Sequence, residues 1–374
     1  MGFTCGIIGL PNVGKSTIFN ALTSAKAAAA NFPFCTIEPN TGAVPVPDER
    51  LEVLSKLAKS EKIIPTQVTF VDIAGLIRGA SKGEGLGNQF LGHIREVDAI
   101  AHVVRCFEDG DVVHVEGKVD PVSDIETIDT ELILSDLESI KKKKERLEKL
   151  VRAQDKDAKI QTEITNALES HLSSGKPARS FTLPHSLESG EAQLPAVLQG
   201  LLTGKPTLFV ANVNESDAAT VADPKGSRLV DKVAAHAQSV GAEIVVICGK
   251  IESEIAELSA ADRGEYLKDL GLKESGLDRL ALAGYRVLNL LTFFTAGPKE
   301  TRAWTVTRGS KAPQAAGKIH TDFERGFIRA EVISYSDYVQ LGGEVKAREA
   351  GKLRTEGKEY DMQDGDIVHF RFNV

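Results

Sequence analysis

The segment Gly9-Leu10-Pro11-Asn12-Val13-Gly14-Lys15-Ser16 constrains this chain more than any other. It fits the spacing G-x-x-x-x-G-K-S, follows an apolar run from Phe3 to Gly9, and opens a helical pattern from Ser16 to Leu22. A loop so placed joins a buried strand to a helix N-terminus, where glycines let backbone N–H groups curl around phosphate oxygens. Lys15 supplies a point charge to β- and γ-phosphates, and the Ser16 hydroxyl suits Mg2+. The motif therefore predicts an α/β sheet with a phosphate site at the end of its first strand.

Four further runs have the length and apolar content of buried strands: Gln67 to Ile73, Ala99 to Phe107, Thr207 to Val213 and Glu243 to Cys248. Helical segments separate them, which predicts a parallel sheet with helices on both faces. Roughly 100 residues lie between Phe107 and Thr207, far more than one crossover helix requires. Within them Ile133, Leu137, Ile140, Leu147 and Leu150 keep helical spacing, and Ile160, Ile164, Ala167 and Leu168 resume it beyond a polar break at Ala153 to Asp157. Two long helices folded back as an antiparallel hairpin are expected, an insertion over residues 128–200 of a nucleotide-binding unit spanning 1–285. From about Leu288 the character changes. Trp304 to Thr307, Phe327 to Ile333 and Ile367 to Phe372 are short strand-like runs, the last preceded by a hairpin-type turn at Gln363-Asp364-Gly365-Asp366. A small α+β domain over 288–372 is expected.

The chain has 374 residues and a net charge of −8, with 42% apolar and 26% charged residues, the make-up of a soluble globular protein of two or three domains. No apolar run approaches the roughly 18–20 residues that span a bilayer, and a secretory signal is not expected. Cys5, Cys35, Cys106 and Cys248 show no paired spacing, so neither a disulfide framework nor a zinc site is suggested and a reduced, cytoplasmic compartment is expected. Mild acidity argues against a DNA-coating role. One stretch departs from it: Lys141 to Arg152 holds seven basic and two acidic residues. A solvated helix face is the plainer reading of such a run, and an RNA contact is the sharper one.

Downstream of the phosphate loop stands Asp72-Ile73-Ala74-Gly75. At the end of a buried strand its aspartate is placed to hold the metal through water, and the Gly75 N–H to reach a γ-phosphate. Thr36, in Asn31 to Asn40 (NFPFCTIEPN), offers a hydroxyl to the metal in the triphosphate state, although an ordinary loop threonine is the default for such a residue. After the strand Thr207 to Val213 comes Asn212-Val213-Asn214-Glu215, where guanine-selective proteins carry N-K-x-D. The shorter aspartate of that pattern accepts hydrogen bonds from guanine N1–H and N2–H2; Glu215 is one methylene too long for the same geometry. Adenine instead offers an N6 donor, which Asn212 or a backbone carbonyl can accept. Cys248-Gly249-Lys250 stands where a third base-contacting loop is expected.

These residues, in this order, resemble the Obg-related YchF (Obg-like ATPase) family of the P-loop translation-factor class. The resemblance is carried by GLPNVGKST at 9–17, NFPFCTIEPN at 31–40, DIAGLIRGASKGEGLGNQFL at 72–91, NVNE at 212–215 and the C-terminal domain. It implies a sheet with a coiled-coil insertion and a C-terminal TGS domain of β-grasp fold. It implies an ATPase that also accepts GTP and acts as a nucleotide-dependent switch in translation or stress response. Its nucleotide would be held by Asn12, Val13, Gly14, Lys15, Ser16, Thr17, Gly75, Asn212, Val213, Glu215, Cys248 and Gly249, with Mg2+ at Ser16, Thr36 and Asp72. Asn12 matches the asparagine that related enzymes use to hold K+, which adds K+ stimulation to what the resemblance allows. The expected partners are the ribosome, through its large subunit and rRNA or tRNA, with no membrane and no DNA, for a monomer. Leu76 stands where Ras-like enzymes have the water-orienting glutamine, so the water must be positioned otherwise. His114, in the loop after the Ala99 to Phe107 strand, is the candidate for orienting or activating it, against the alternative of a plain surface-loop histidine. Arg78 fits a salt bridge within its loop better than a phosphate contact. An Obg-type GTPase, which NVNE argues against, and a non-hydrolysing nucleotide-dependent scaffold remain as other readings.

Overall fold

The computed structural model describes residues 3–28, 40–73, 86–108, 119–217 and 227–373. Its first sheet has six strands in the order β2-β4-β1-β5-β6-β7. They are β1 (Thr4–Ile8), β2 (Thr41–Pro45), β4 (Gln67–Asp72), β5 (Ala99–Arg105), β6 (Thr207–Asn212) and β7 (Glu243–Ile247); β3 (Ile63–Ile64) lies elsewhere. All neighbours are parallel except the edge pair β2 and β4. Every residue of β5 and β6 is buried, because helices cover both faces. Strand β1 lies between β4 and β5, so its C-terminal end opens where the strand order reverses, the position at which such sheets bind ligands. Helix α1 (Lys15–Ala28) starts there.

The insertion is a helical hairpin. Helix α4 (Pro121–Arg152) begins with proline in its first turn, where the missing N–H costs nothing. The turn places Gln154 at φ +62°, and Asp155 caps α5 (Lys156–Ser173) by accepting from the Ala158 N–H at 3.0 Å. Ile133, Ile140, Ile164, Leu168 and Leu172 form its buried seam. Its base is tied to the segment leading into β6 by Asp136, fully buried, which accepts from the N–H groups of Leu202 (2.7 Å) and Thr203 (2.8 Å) and from the Thr203 hydroxyl (2.6 Å).

The second sheet has the order β11-β10-β12-β8-β9-β3, with β8 (Leu290–Ala296), β9 (Thr301–Thr307), β10 (Phe327–Ser334), β11 (Arg354–Glu356) and β12 (Asp366–Phe372). Parallel and antiparallel neighbours are mixed in it. The division at 285–288 assigns residues 50–64 to the first unit, yet the chain weaves them into this sheet. Strand β3 pairs parallel to β9, and α2 (Arg50–Ala58) buries Leu51 and Leu54 against Phe294, Ala303, Ile333 and Tyr338. The Arg50 guanidinium bonds Asp48 and Asp364 and lies 5.0 Å over the Phe294 ring. The turn before β12 also differs from expectation. Gly365 takes φ +89°, but β12 pairs with β10 and β8, so the turn redirects the chain without joining two adjacent strands. No helix among the described residues is long and apolar enough to cross a membrane.

Candidate nucleotide and metal site

The loop between β1 and α1 is shaped by close backbone approach. A Cβ on Gly9 would lie 2.7 Å from the Val103 carbonyl of β5, so only glycine lets the loop leave the sheet there. Asn12 and Gly14 take left-handed conformations, φ +63° and +90°, and the Ile18 N–H closes the first helical turn on the Gly14 carbonyl at 3.1 Å. Asn12 in the loop and Ser16 and Thr17 in the first turn of α1 are exposed, while Val13 is buried. A curled loop with outward N–H groups at a helix N-terminus is an anion cradle.

Asp72 ends β4, and pairing of Ile7 with Asp72 sets its carboxylate level with the start of the loop. The Lys15 ammonium meets that carboxylate as a hydrogen-bonded ion pair. The candidate cation donors are thus a hydroxyl on Ser16 and carboxylate oxygens on Asp72, all hard ligands. Among the described residues no cluster of three or more His, Cys, Asp or Glu could form an all-protein cage. This donor set fits Mg2+, which keeps water and shares its shell with substrate phosphates, better than a metal needing many protein ligands. Thr36, Gly75, Leu76, Arg78 and His114 lie outside the described residues.

Asn212, at the end of β6, joins this loop to the base side of the site. Its Nδ2 donates to the Val13 carbonyl at 2.9 Å, its Oδ1 accepts from the Gly249 N–H at 3.0 Å, and it is 5% exposed. One N–H and one lone pair remain to it, so it is first a brace between two loops. Val213 turns its side chain into the core with Val104, Cys106 and Cys248, and its N–H bonds the Ile247 carbonyl. Lysine in the guanine-selective pattern is replaced here by a buried valine. Cys248 is buried too, its thiol pushed up by burial, and precedes the helix Gly249–Glu257. Glu215 is half-buried; its carboxylate is 2.6 Å from the Lys250 ammonium.

Two features had no local signal in the sequence. Buried Glu252 accepts from the N–H groups of Gly276 (2.7 Å) and Leu277 (3.2 Å), capping the helix Gly276–Val287. That helix ends near Tyr285, whose hydroxyl is 2.7 Å from Thr292 of the second sheet, so the base-side helix is connected to the C-terminal domain through one rigid element. The basic run is also more divided than its sequence implies. Lys143 bonds the carbonyls of Ala196 and Val197, and Lys144 pairs with Glu169 at 2.6 Å, which leaves Lys141, Lys142, Arg146, Lys149 and Arg152 exposed. Burial lowers the pKa of Lys143.

Comparison with known proteins matches this architecture end to end. Residues 4–166 match a family model described as a 50S ribosome-binding GTPase, and residues 290–373 match the model YchF-GTPase_C. The chain is 56% identical over 375 residues to a Bacillus subtilis (strain 168) protein named ribosome-binding ATPase YchF, covering 100% of each. The Escherichia coli O157:H7 protein of the same name is 52% identical over 374 residues, again covering 100% of each. Among solved structures, the Schizosaccharomyces pombe YchF GTPase superposes with a TM-score of 0.85 at 37% identity, covering 99% of this chain and 98% of that one. Full-length identity, both family models and the shared fold agree: the chain belongs to the YchF family.

Proposed function

We propose that the chain is a ribosome-associated ATPase whose nucleotide state switches its partner binding. The observation that carries this reading is the joined site. Lys15, at the start of α1, pairs with Asp72, at the end of the neighbouring strand β4, and Asn212 ties the phosphate loop to the base loop. The names of the Bacillus and Escherichia relatives support both halves of the reading. In it, backbone N–H groups from Asn12 to Thr17 hold the phosphates with Lys15, and the Gly75 N–H meets the γ-phosphate. Ser16, Thr36 and, through water, Asp72 hold Mg2+, which neutralises phosphate charge when bound with the nucleotide. In the same reading Asn12 holds K+, which stimulates turnover.

Base preference is read from replacement. With Val213 buried and Glu215 drawn to Lys250, the loop lacks the free fork of acceptors that guanine requires, so ATP is favoured and GTP accepted. Cys248 and Gly249 contribute backbone on the far side of the base. His114 orients the attacking water. The exposed basic face of α4 meets rRNA or tRNA on the large subunit, the chain acts as a cytoplasmic monomer, and residues 288–372 form the TGS domain, completed by residues 50–64. Two measurements test the reading together: single-turnover ATP hydrolysis with and without Mg2+, and ribosome co-sedimentation with ATP analogue against ADP. Mg2+-dependent turnover with state-dependent sedimentation is expected. Binding without turnover would instead support a nucleotide-dependent scaffold.

A further inference from the structure

We infer that Lys250 is a specificity-determining residue of the base site, acting by holding the Glu215 carboxylate. The inference rests on the proposed ATP preference and supplies its device. Lys250 is the second residue of the helix Gly249–Glu257, and the bond from the Gly249 N–H to Asn212 Oδ1 fixes that helix start against the NVNE loop. On the other side, the Glu215 N–H donates to Asn214 Oδ1 at 2.7 Å, which sets where the Glu215 side chain leaves the loop. Between these two anchored points the Lys250 ammonium lies 2.6 Å from Glu215 Oε2. The other carboxylate near Lys250, Glu254 one turn along the same helix, already accepts from the Tyr266 hydroxyl at 2.7 Å. Glu215 is therefore the partner of this lysine.

The consequence follows from the edges of the two bases. Guanine presents N1–H and N2–H2 donors side by side, and a carboxylate with both oxygens free accepts from both. Adenine presents an N1 lone pair there, which a bare carboxylate repels. An ammonium bonded to Glu215 cancels the carboxylate's charge, takes up one oxygen of the fork, and adds donors beside the acceptor N1 of adenine. The pair thus weakens the guanine contact and removes the repulsion against adenine. Both side chains are partly in solvent, 66% exposed for Lys250 and 39% for Glu215, so the effect is modest, about two- to fivefold in relative affinity.

The test is a double-mutant cycle read as the ATP-to-GTP affinity ratio of the full chain by competition titration. Lys250→Met should lower that ratio about two- to fivefold, and Lys250→Arg should retain it. In a Glu215→Gln background, Lys250→Met should change the ratio no further, because the lysine acts through the carboxylate. A ratio unmoved by Lys250→Met, including equal loss of both nucleotides, overturns the inference, as does an equal shift in the Glu215→Gln background. A parent protein that prefers GTP strongly would contradict the ATP reading instead, while the cycle, which measures changes in the ratio, still decides the role of Lys250.

Discussion

Replacing Asn212 by alanine should detach the phosphate loop from the base loop, and the structure sets the size of the effect. The substitution removes two hydrogen bonds at a site 5% exposed and leaves the Val13 carbonyl and the Gly249 N–H without partners. Each orphaned buried backbone group costs about 1–3 kcal/mol, so the two together should cost about 2–6 kcal/mol. Asn212→Asp keeps an acceptor for Gly249 but turns a second acceptor towards the Val13 carbonyl, and should be at least as harmful. Gly14→Ala should act on the same contact from the other side. A Cβ there would lie 2.1 Å from Asn212 Nδ2, on a backbone whose φ of +90° suits only glycine. Urea unfolding measures the stability loss, and titration with a fluorescent ATP analogue measures the accompanying loss of affinity. Because both substitutions break one contact, the Gly14→Ala, Asn212→Ala double variant should lose less than the sum of the single ones. Losses below about 0.5 kcal/mol for both Asn212 variants, the range of ordinary surface changes, would refute the bracing role.

Burial holds the His102 imidazole neutral, with a pKa lowered to about 4 against an ordinary 6.5, under secondary influence from Asp129, Arg179 and His236. The unfolded chain takes up the proton first as pH falls, so stability should drop by about 2 kcal/mol between pH 7 and pH 5 on this account. His102→Leu should remove that share of the slope in urea unfolding at the two pH values. Charge reversal at Lys142, Arg146 and Lys149 should reduce ribosome co-sedimentation and flatten its salt dependence without changing ATP affinity, since each phosphate contact releases counterions; unchanged sedimentation would leave a solvated face. Lys143→Glu, by contrast, should destabilise the hairpin, because it breaks the bonds to Ala196 and Val197. His114→Ala should lower single-turnover hydrolysis and leave ATP affinity unchanged, and unaltered turnover would remove it from the chemistry.

The parts of this fold that are legible in sequence are those whose physics is local. β5 and β6 are buried on both faces and so read as unbroken apolar runs, and the hairpin seam from Ile133 to Leu172 keeps helical spacing. The phosphate loop is legible because its glycines meet conformational demands within eight residues of chain. What escaped is long-range. β2 is a five-residue edge strand containing glycine and proline, and β3 has two residues, so neither carries a pattern that names its sheet. Asp136 finds Thr203 across 67 positions, and a run of four lysines gives no sign that Lys143 and Lys144 are structural. In the site, N-x-x-E signals a change of base preference, but the brace formed by Asn212 and the partner of Glu215 exist only once three loops are in place.

With Val213 buried and Glu215 paired to Lys250, the base loop should not select guanine. The decisive measurement is a competition titration of ATP against GTP at fixed Mg2+. ATP should bind at least as tightly as GTP. GTP bound more than about tenfold tighter, a difference of about 1.4 kcal/mol, would contradict it.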